Sequence, residues 1–221
     1  MECMRQLRPG LWHWTAPHPE WTPDEPWPQD VSSYAIADGV RLLLIDPQTV
    51  PAELLGIAKD REPVILLTVP WHERDTRQLV ERLGAAVHTP RPDTADDLVR
   101  KFGITPEQAD GGSPDLVWLF DGEGDAHPFA AGDRLPFGVD AFAGKEPNDL
   151  VLWVERLGAL VFGDTLVDFG NGLEINPYLR GGVTRADVVD RLRPLLDRPV
   201  ELVLPTHGEP RDRAAFEAAL A

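Results

Sequence analysis

Short apolar runs, each bounded by proline, glycine or polar residues, constrain the fold of this chain most strongly. Residues 34–37 and 41–45 are two such runs on either side of Asp38-Gly39, and an Asp-Gly pair in this setting is the strongest local signal for a β-hairpin. Residues 64–67 form a third run, directly after Pro63. Runs of this length match buried strands and are too short to cross a membrane.

Segments with apolar residues at helical spacing lie between these runs. Leu79, Val80 and Leu83 mark one side of a helix that Gly84 ends, and Thr184 is a typical helix N-cap. The pattern predicts helices at residues 52–59, 74–84, 185–196 and 213–220, and further strands at residues 85–88, 116–120, 150–154, 159–162 and 200–204. Strands followed by helices, twice along the chain, predict an α/β fold of two mixed β-sheets with outer helices, a four-layer αβ/βα sandwich.

Composition limits the domain organisation and the partners. The chain has 221 residues, 43% of them hydrophobic, which predicts a single domain over residues 1–221. Residues 1–30 hold four tryptophans and several prolines, so we expect an irregular segment packed on that domain. The formal net charge of −16 opposes binding to nucleic acid or to an anionic membrane. Cys3 is the single cysteine and no secretory signal pattern is present, so we expect a cytoplasmic protein.

Four motifs resemble those of the metallo-β-lactamase superfamily, in the same order and over roughly residues 9 to 210. They are Pro9-Gly10-Leu11-Trp12 with Leu44-Ile45-Asp46-Pro47, the strand that ends at Leu67-Thr68, Gly163-Asp164-Thr165-Leu166, and Pro205-Thr206-His207-Gly208. Each motif alone is weak, but their order and spacing make the resemblance specific. It implies the four-layer fold and a site at the strand ends, where members of that superfamily bind two metal ions.

The metal ligands that this resemblance implies are mostly missing. After the second motif the superfamily carries H-x-H-x-D-H, which, read directly onto this chain, puts these residues at the ligand positions: Val69, Trp71, Glu73 and Arg74. Three of those four side chains cannot bind zinc. The next histidine of the superfamily falls in residues 144–149, where this chain has Lys145. Asp164 and His207 remain, so an ordinary binuclear zinc hydrolase is not expected.

A shift of one residue gives a second interpretation of the same loop. His72-Glu73-Arg74-Asp75 then resembles the H-x-R-D loop of zinc-poor members of the superfamily. In this register two imidazoles and two carboxylates could converge on one zinc, manganese or iron ion, namely those of His72, Asp75, Asp164 and His207. Arg74 and Lys145 oppose this arrangement, because two fixed positive charges beside a divalent ion are repelled by it.

The interpretation that the sequence favours has no metal ion. Arg74 and Lys145 would compensate Asp75 and Asp164 in a network of ion pairs that replaces the zinc. Trp71 would form an apolar wall of the pocket. Under this interpretation the protein binds a small molecule or a partner without hydrolysing it, and Trp71, Arg74 and Lys145 are the ligand-binding residues, with the two cations suited to an anionic group.

An enzyme is the alternative hypothesis. It would be a hydrolase for an ester, a lactone or a phosphoester, with one metal ion or with histidine acid–base catalysis. In either form the catalytic residues would be His72, Asp75, Asp164 and His207. The two hypotheses differ in metal content and in the effect of replacing His207.

Overall fold

A computed structural model describes residues 4–221, so the expectation for Cys3 concerns a residue outside this range. The described chain forms two large mixed β-sheets. The first contains β1 (Arg5–Arg8), β2 (Leu11–Pro17), β3 (Asp30–Asp38), β4 (Arg41–Ile45), β5 (Glu62–Leu66), β6 (Ala86–Thr89) and β7 (Ala126–Pro128), in that spatial order. The later strands are β8 (Arg134–Leu135), β9 (Val139–Ala143), β10 (Leu150–Val154), β11 (Ala159–Phe162), β12 (Leu166–Val167), β13 (Glu174–Ile175), β14 (Leu202–Pro205) and β15 (Arg211–Asp212). Of these, β12 pairs with β13, and the others form the second sheet in the order β15-β14-β11-β10-β9-β8.

Helices lie outside the sheets. They are α1 (Ala52–Ala58), α2 (Thr76–Leu83), α3 (Ala95–Phe102), α4 (Arg185–Leu192) and α5 (Arg213–Leu220). Leu54 of α1 and Leu79 of α2 pack in one apolar cluster with the first sheet, and Val188 of α4 and Phe216 of α5 pack in another with the second sheet. The four-layer prediction is therefore confirmed. None of the helices in the described part of the chain has the length and apolarity that a membrane-spanning helix needs.

Strand β4 shows how one apolar run serves two layers. Leu43 and Ile45 pack between the sheets, whereas Leu42 and Leu44 pack against the helices. Successive side chains of a strand point to opposite faces, so a strand covered on both faces is apolar throughout. Strand β10 follows the same rule, which explains why this sequence has apolar runs where a half-exposed sheet would show alternation.

Residues 116–120 do not form the predicted strand. Leu116 has a positive φ of 55°, and a helical turn follows at Leu119–Glu123. Leu116 and Leu119 are buried while Val117 is exposed, which is helical spacing rather than strand alternation. A five-residue apolar run does not distinguish the two by its periodicity. The predicted hairpin around Asp38-Gly39 is confirmed, with β3 paired antiparallel to β4.

The N-terminal segment is more regular than its prolines indicate. Strands β1 and β2 belong to the first sheet, and Trp14 of β2 is fully buried, with its Nε1–H donating to Gln48 O over 2.7 Å. The irregular part is confined to residues 18–29, between β2 and β3. The prediction of an irregular segment over residues 1–30 is therefore wrong for the two strands.

The two sheets meet closely at the ends of four strands, β4, β5, β11 and β14. The backbone N–H of Ser32 in the first sheet donates to Thr206 O of the second over 2.8 Å. A Cβ atom on Gly163, after β11, would lie only 2.5 Å from Thr68 Oγ, after β5. Glycine at 163 therefore lets the loops after the strands of both sheets share one small volume.

Candidate functional site

Three side chains from the two sheets converge at this junction. Asp164 follows β11, His207 follows β14, and His72 ends a 3-10 turn, Pro70–His72, that follows β5. Asp164 Oδ1 lies 3.3 Å from His72 Nε2 and 3.4 Å from His207 Nε2. One ligand atom from each residue lies within 4.8 Å of the others, so the three side chains can reach one metal ion. We call them the central triad.

A buried carboxylate orients His72. Asp46, fully buried after β4, places Oδ2 3.0 Å from His72 Nδ1. Its Oδ1 accepts the backbone N–H of Thr68 over 2.9 Å, and its Oδ2 accepts the Thr68 hydroxyl. A carboxylate behind the imidazole is a common arrangement around metal-bound histidine. Our sequence interpretation placed Asp46 in the first motif but gave it no role at the site, although an aspartate directly after a buried strand is a signal for this position.

The contact with Asp46 determines which nitrogen of His72 faces the centre of the site. An ionised carboxylate only accepts hydrogen bonds, so Nδ1 carries a proton. In a neutral His72, Nε2 then presents a lone pair to Asp164 Oδ1, which also carries lone pairs. Two acceptors at 3.3 Å repel each other unless a positive species lies between them. Either a second proton on His72 or a metal ion satisfies this contact.

Burial and charge act in opposite directions on the pKa values of the central triad. Burial and the charge of Arg74 lower the pKa of His72, but the carboxylates of Asp164 and Asp46 outweigh them and raise it. Burial alone would raise the pKa of Asp164, yet the neighbouring positive groups hold it well below its usual range. Burial lowers the pKa of His207 to about 3, so this imidazole is neutral at pH 7.

Trp71 contacts the same carboxylate as His72. Its indole Nε1–H donates to Asp164 Oδ2 over 2.7 Å, while Oδ1 faces the histidines. The sequence left open whether Trp71 or His72 lies at the site, and in the structure both do, because they occupy successive positions of one tight turn. Trp71 therefore donates a hydrogen bond to Asp164 of the central triad and also lines the cleft.

Aromatic rings cover His207. The Trp27 ring, from residues 18–29, meets the His207 imidazole edge to face at 5.1 Å, and the Phe169 ring lies 6.1 Å away. Nδ1 of His207 is buried without a hydrogen-bond partner in the described residues. The apolar surroundings shield this side of the site from water and explain why His207 stays unprotonated.

Asp75 does not belong to the central triad, which corrects the prediction. Its Oδ2 accepts the backbone N–H of Thr49 over 2.6 Å, and its Oδ1 lies 3.4 Å from Gln48 Nε2. The carboxylate therefore fixes the loop after β4. The chain turns at Arg74, which has a positive φ of 46°, so Asp75 starts helix α2 instead of facing Asp164.

Arg74 binds backbone, and the predicted ion pairs are not formed. Its Nη1–H groups donate to Asp46 O over 2.7 Å and to Ser32 O over 3.0 Å. Nε and Nη2 are enclosed and without partners in residues 4–221. Because its Nη1–H groups meet carbonyl oxygens rather than Asp75, Arg74 joins β3 to the end of β4, and the residue also lines the cleft.

Lys145 lines the cleft, but it does not pair directly with Asp164. In the described chain no carboxylate oxygen lies within 4 Å of its ammonium group. The fully buried Asp149 lies in the same loop, and neither of its carboxylate oxygens has a hydrogen-bond partner among residues 4–221. Burial raises the pKa of Asp149 to about 7 despite the charge of Lys145.

The positions that hold the other metal ligands in the superfamily are used differently here. Val69 is fully buried in the fold. The Glu73 carboxylate accepts the backbone N–H of Leu116 over 3.1 Å and the Trp118 Nε1–H over 2.6 Å. In residues 4–221 the central triad is the one group of at least three histidine, cysteine or acidic side chains that could hold an ion. The side chains of the described residues therefore fit one metal ion and do not fit two.

The central triad opens into a cleft of about 560 Å³. One wall comes from residues 18–29 and carries His18, Glu25 and Trp27. The rest of the lining, which we call the second wall, includes Trp71, Lys145, Phe169, Tyr178 and Arg180, together with the carboxylates of Asp115 and Asp164. A cleft of this size takes a small molecule.

Comparison with solved structures identifies the fold. DIM-1 metallo-β-lactamase superposes with a TM-score of 0.63 at 12% sequence identity, covering 99% of this chain and 95% of that one. FIM-1 from Pseudomonas aeruginosa, a metallo-β-lactamase in its mono-zinc form, gives 0.60 at 13% identity over 99% and 93%. A metallo-β-lactamase family protein from Thermus thermophilus gives 0.61 at 18% identity over 97% and 79%. The chain has the metallo-β-lactamase fold. No protein-family model and no curated protein sequence matches it.

Proposed function

We propose that this protein binds one divalent transition-metal ion through His72, Asp164 and His207 and hydrolyses a small anionic substrate in the adjoining cleft. One observation carries the proposal. Two ligands at about 2.1 Å from a tetrahedral ion are separated by about 3.4 Å. The Oδ1–Nε2 distances of 3.3 and 3.4 Å have this value, which is long for hydrogen bonds.

Residues around the central triad support metal binding. Asp46 holds the proton on His72 Nδ1 and directs Nε2 toward the centre. Trp71 occupies Asp164 Oδ2 and leaves Oδ1 for the ion. His207 is neutral, as a ligand must be. Two imidazoles and one carboxylate suit zinc, manganese or iron.

Hydrolysis is the reaction class that follows from such a site. A three-ligand ion keeps a position for water, lowers the pKa of that water and polarises a carbonyl or phosphoryl oxygen. Trp27 and Phe169 exclude bulk water beside His207. FIM-1, whose fold is similar, has been described in a mono-zinc form, so this fold can hold a single zinc ion. Esters, lactones and phosphoesters are the substrate classes to screen.

A metal-free binding protein is the second candidate, and the raised pKa of His72 favours it. A protonated His72 between Asp46 and Asp164 would supply the positive charge that the contact requires. In this second candidate function the cleft binds a ligand and does not hydrolyse it. The same measurement separates the two.

Metal analysis by inductively coupled plasma mass spectrometry tests the proposal. Protein purified without chelators, then incubated with zinc, manganese or iron(II) and desalted, should retain about one equivalent of one metal. His207→Ala should lose the metal and the zinc-induced rise in Tm, because two donors hold an ion weakly. His127→Ala, the same substitution at a half-exposed histidine of β7, is the matched control and should keep both.

Two results would contradict the proposal. Less than about 0.1 equivalent of metal under every condition would favour the metal-free candidate, because a site that needs an ion retains it. The second result concerns activity. If the protein binds metal but wild type and His207→Ala hydrolyse 4-nitrophenyl acetate, a lactone and 4-nitrophenyl phosphate equally, the proposal that it is a hydrolase for these substrate classes is wrong.

A further inference from the structure

Two buried lysines lie near the cleft, and they differ in what surrounds their ammonium groups. Lys101, on α3, is saturated. Its Nζ lies 2.7 Å from Asp93 Oδ1, 2.5 Å from Glu146 Oε2 and 2.8 Å from Asn148 Oδ1. An ammonium group has three donors, and each of them has an acceptor here. Lys101 therefore joins α3 to the loop between β9 and β10 and is a structural cation.

Lys145 has the same burial without those partners. The residue is 5% exposed and lines the cleft, yet no carboxylate oxygen in the described chain lies within 4 Å of its ammonium group. Its backbone N–H, by contrast, donates to Thr165 Oγ1 over 2.8 Å. A buried charge without a close partner is costly to keep, whereas the same charge stabilises an anion that reaches it.

Arg180 lies on the same wall. It borders the main cleft and a side chamber of about 330 Å³, and Lys145 borders both as well. The Arg180 guanidinium carbon lies 4.5 Å from the centre of the Phe102 ring. No carboxylate oxygen of residues 4–221 is within 4 Å of its nitrogens. Stacking holds the guanidinium by its face and leaves its N–H edge for a carboxylate or a phosphate.

Most acidic residues that line the cleft and the side chamber have close partners other than Lys145 and Arg180. Asp93 and Glu146 pair with Lys101, and Asp164 contacts Trp71, His72 and His207. The Asp115 carboxylate accepts the Ser113 hydroxyl, and the Glu25 carboxylate accepts the Trp27 Nε1–H over 2.9 Å. Both are therefore engaged within their own loops. Carboxylates outnumber the fixed cations in the lining of both cavities, yet none of them lies within 4 Å of the charged groups of Lys145 and Arg180.

From this wall we infer that Lys145 and Arg180 bind the anionic group of the substrate, a carboxylate or a phosphate carried by a flat apolar body. The inference rests on the proposed function for the reaction, but binding at this wall is independent of the metal ion. Trp71, which lines both cavities, and Phe102, in the side chamber, supply the apolar contacts. The bond to be hydrolysed would then face Asp164.

Isothermal titration calorimetry with benzoate and phenyl phosphate, on metal-loaded and on chelator-treated protein, tests the inference. Lys145→Gln and Arg180→Gln should each weaken binding about tenfold, the typical effect of losing one charge-assisted contact. Lys59→Gln removes the same charge from an exposed lysine after α1 and should leave the Kd within about twofold. Phenol, the neutral analogue, should bind equally weakly to all of them.

The test separates this inference from the metal proposal. Lys145→Gln and Arg180→Gln should keep the metal content and the circular dichroism of wild type while binding the anions more weakly. The tighter of the two anions then identifies the group as carboxylate or phosphate. If both variants bind the anions as wild type does, or if phenol binds as well as phenyl phosphate, the inference is wrong even where the metal ion is present. Loss of metal in Lys145→Gln would also overturn it, since Lys145 would then act on the metal site.

Discussion

Asp46 and Asp149 are both fully buried near the central triad, but their carboxylates have very different hydrogen-bond partners. The Asp46 carboxylate has a backbone N–H, a hydroxyl and an imidazole around it. The Asp149 carboxylate has neither a backbone N–H nor an imidazole as a hydrogen-bond partner in the described residues, and only the Thr165 hydroxyl and the more distant charge of Lys145 favour its ionised form. Burial is equal, so the difference lies in hydrogen bonding.

This contrast divides the site into a structural part around Asp46 and His72 and a ligand-facing part around Asp149 and Lys145. Hydrogen bonds to a buried carboxylate fix it as an anion in one position. A carboxylate without them changes its protonation state when a neighbouring charge changes. The His72 side is therefore rigid, whereas the electrostatic state of the Lys145 side depends on what binds there.

Removing the Asp46 carboxylate is the most severe way to test this contrast. Asp46→Ala should lower the free energy of unfolding by about 3 to 5 kcal/mol, because it leaves the Thr68 N–H and His72 without their acceptor. Urea denaturation followed by tryptophan fluorescence measures the change. Asp60→Ala, at an exposed aspartate after α1, should stay within about 0.5 kcal/mol. An Asp46→Ala loss below about 1 kcal/mol would mean that the three contacts add little.

Removing the charge of Asp149 should raise the free energy of unfolding instead of lowering it, and only at high pH. Its folded-state pKa of about 7 lies above the unfolded value of about 3.9, so its ionisation removes stability as the pH rises from about 4 through 7. Asp149→Asn should therefore be more stable than wild type by about 2 to 4 kcal/mol at pH 8, with no gain at pH 4. Urea denaturation across this range measures the difference. A gain that is the same at both pH values would rule out ionisation as its cause.

Asp75 tests whether the effects of Asp46 and Asp149 depend on their position near the central triad, because Asp75 was predicted at the site but contacts the loop after β4 instead. Asp75→Asn should cost about 1 kcal/mol, since a neutral amide oxygen accepts the Thr49 N–H less strongly than a carboxylate. Its metal content and anion affinity should equal those of wild type. A metal content below half that of wild type would return Asp75 to the ligand set and favour the four-residue arrangement.

The sequence predicts the scaffold better than the site because the two depend on different kinds of information. Apolar runs and an Asp-Gly turn are local, and they give the bounds of β4, β10 and β11, whereas β3 begins at Asp30, four residues before the predicted run. The position of Asp75 depends instead on the positive φ of Arg74, which no side-chain pattern marks. The role of Asp46 follows from its contact with His72, which is 26 positions away in the sequence and adjacent only in the folded structure. Because Asp164 and His207 each follow a predicted strand, the sequence did indicate that they lie close together, and their side chains are 3.4 Å apart.

The close approach of Gly163 to Thr68 affects how the site is made during folding. Asp164 and His207 belong to one sheet and His72 to the other, so neither sheet alone carries a complete set of ligands. The set exists only after the two sheets dock. A ligand that bridges them binds the docked state alone, and it should slow the separation of the sheets while leaving the folding of each sheet unchanged. The lifetime of the folded protein would then depend on occupancy of the cleft.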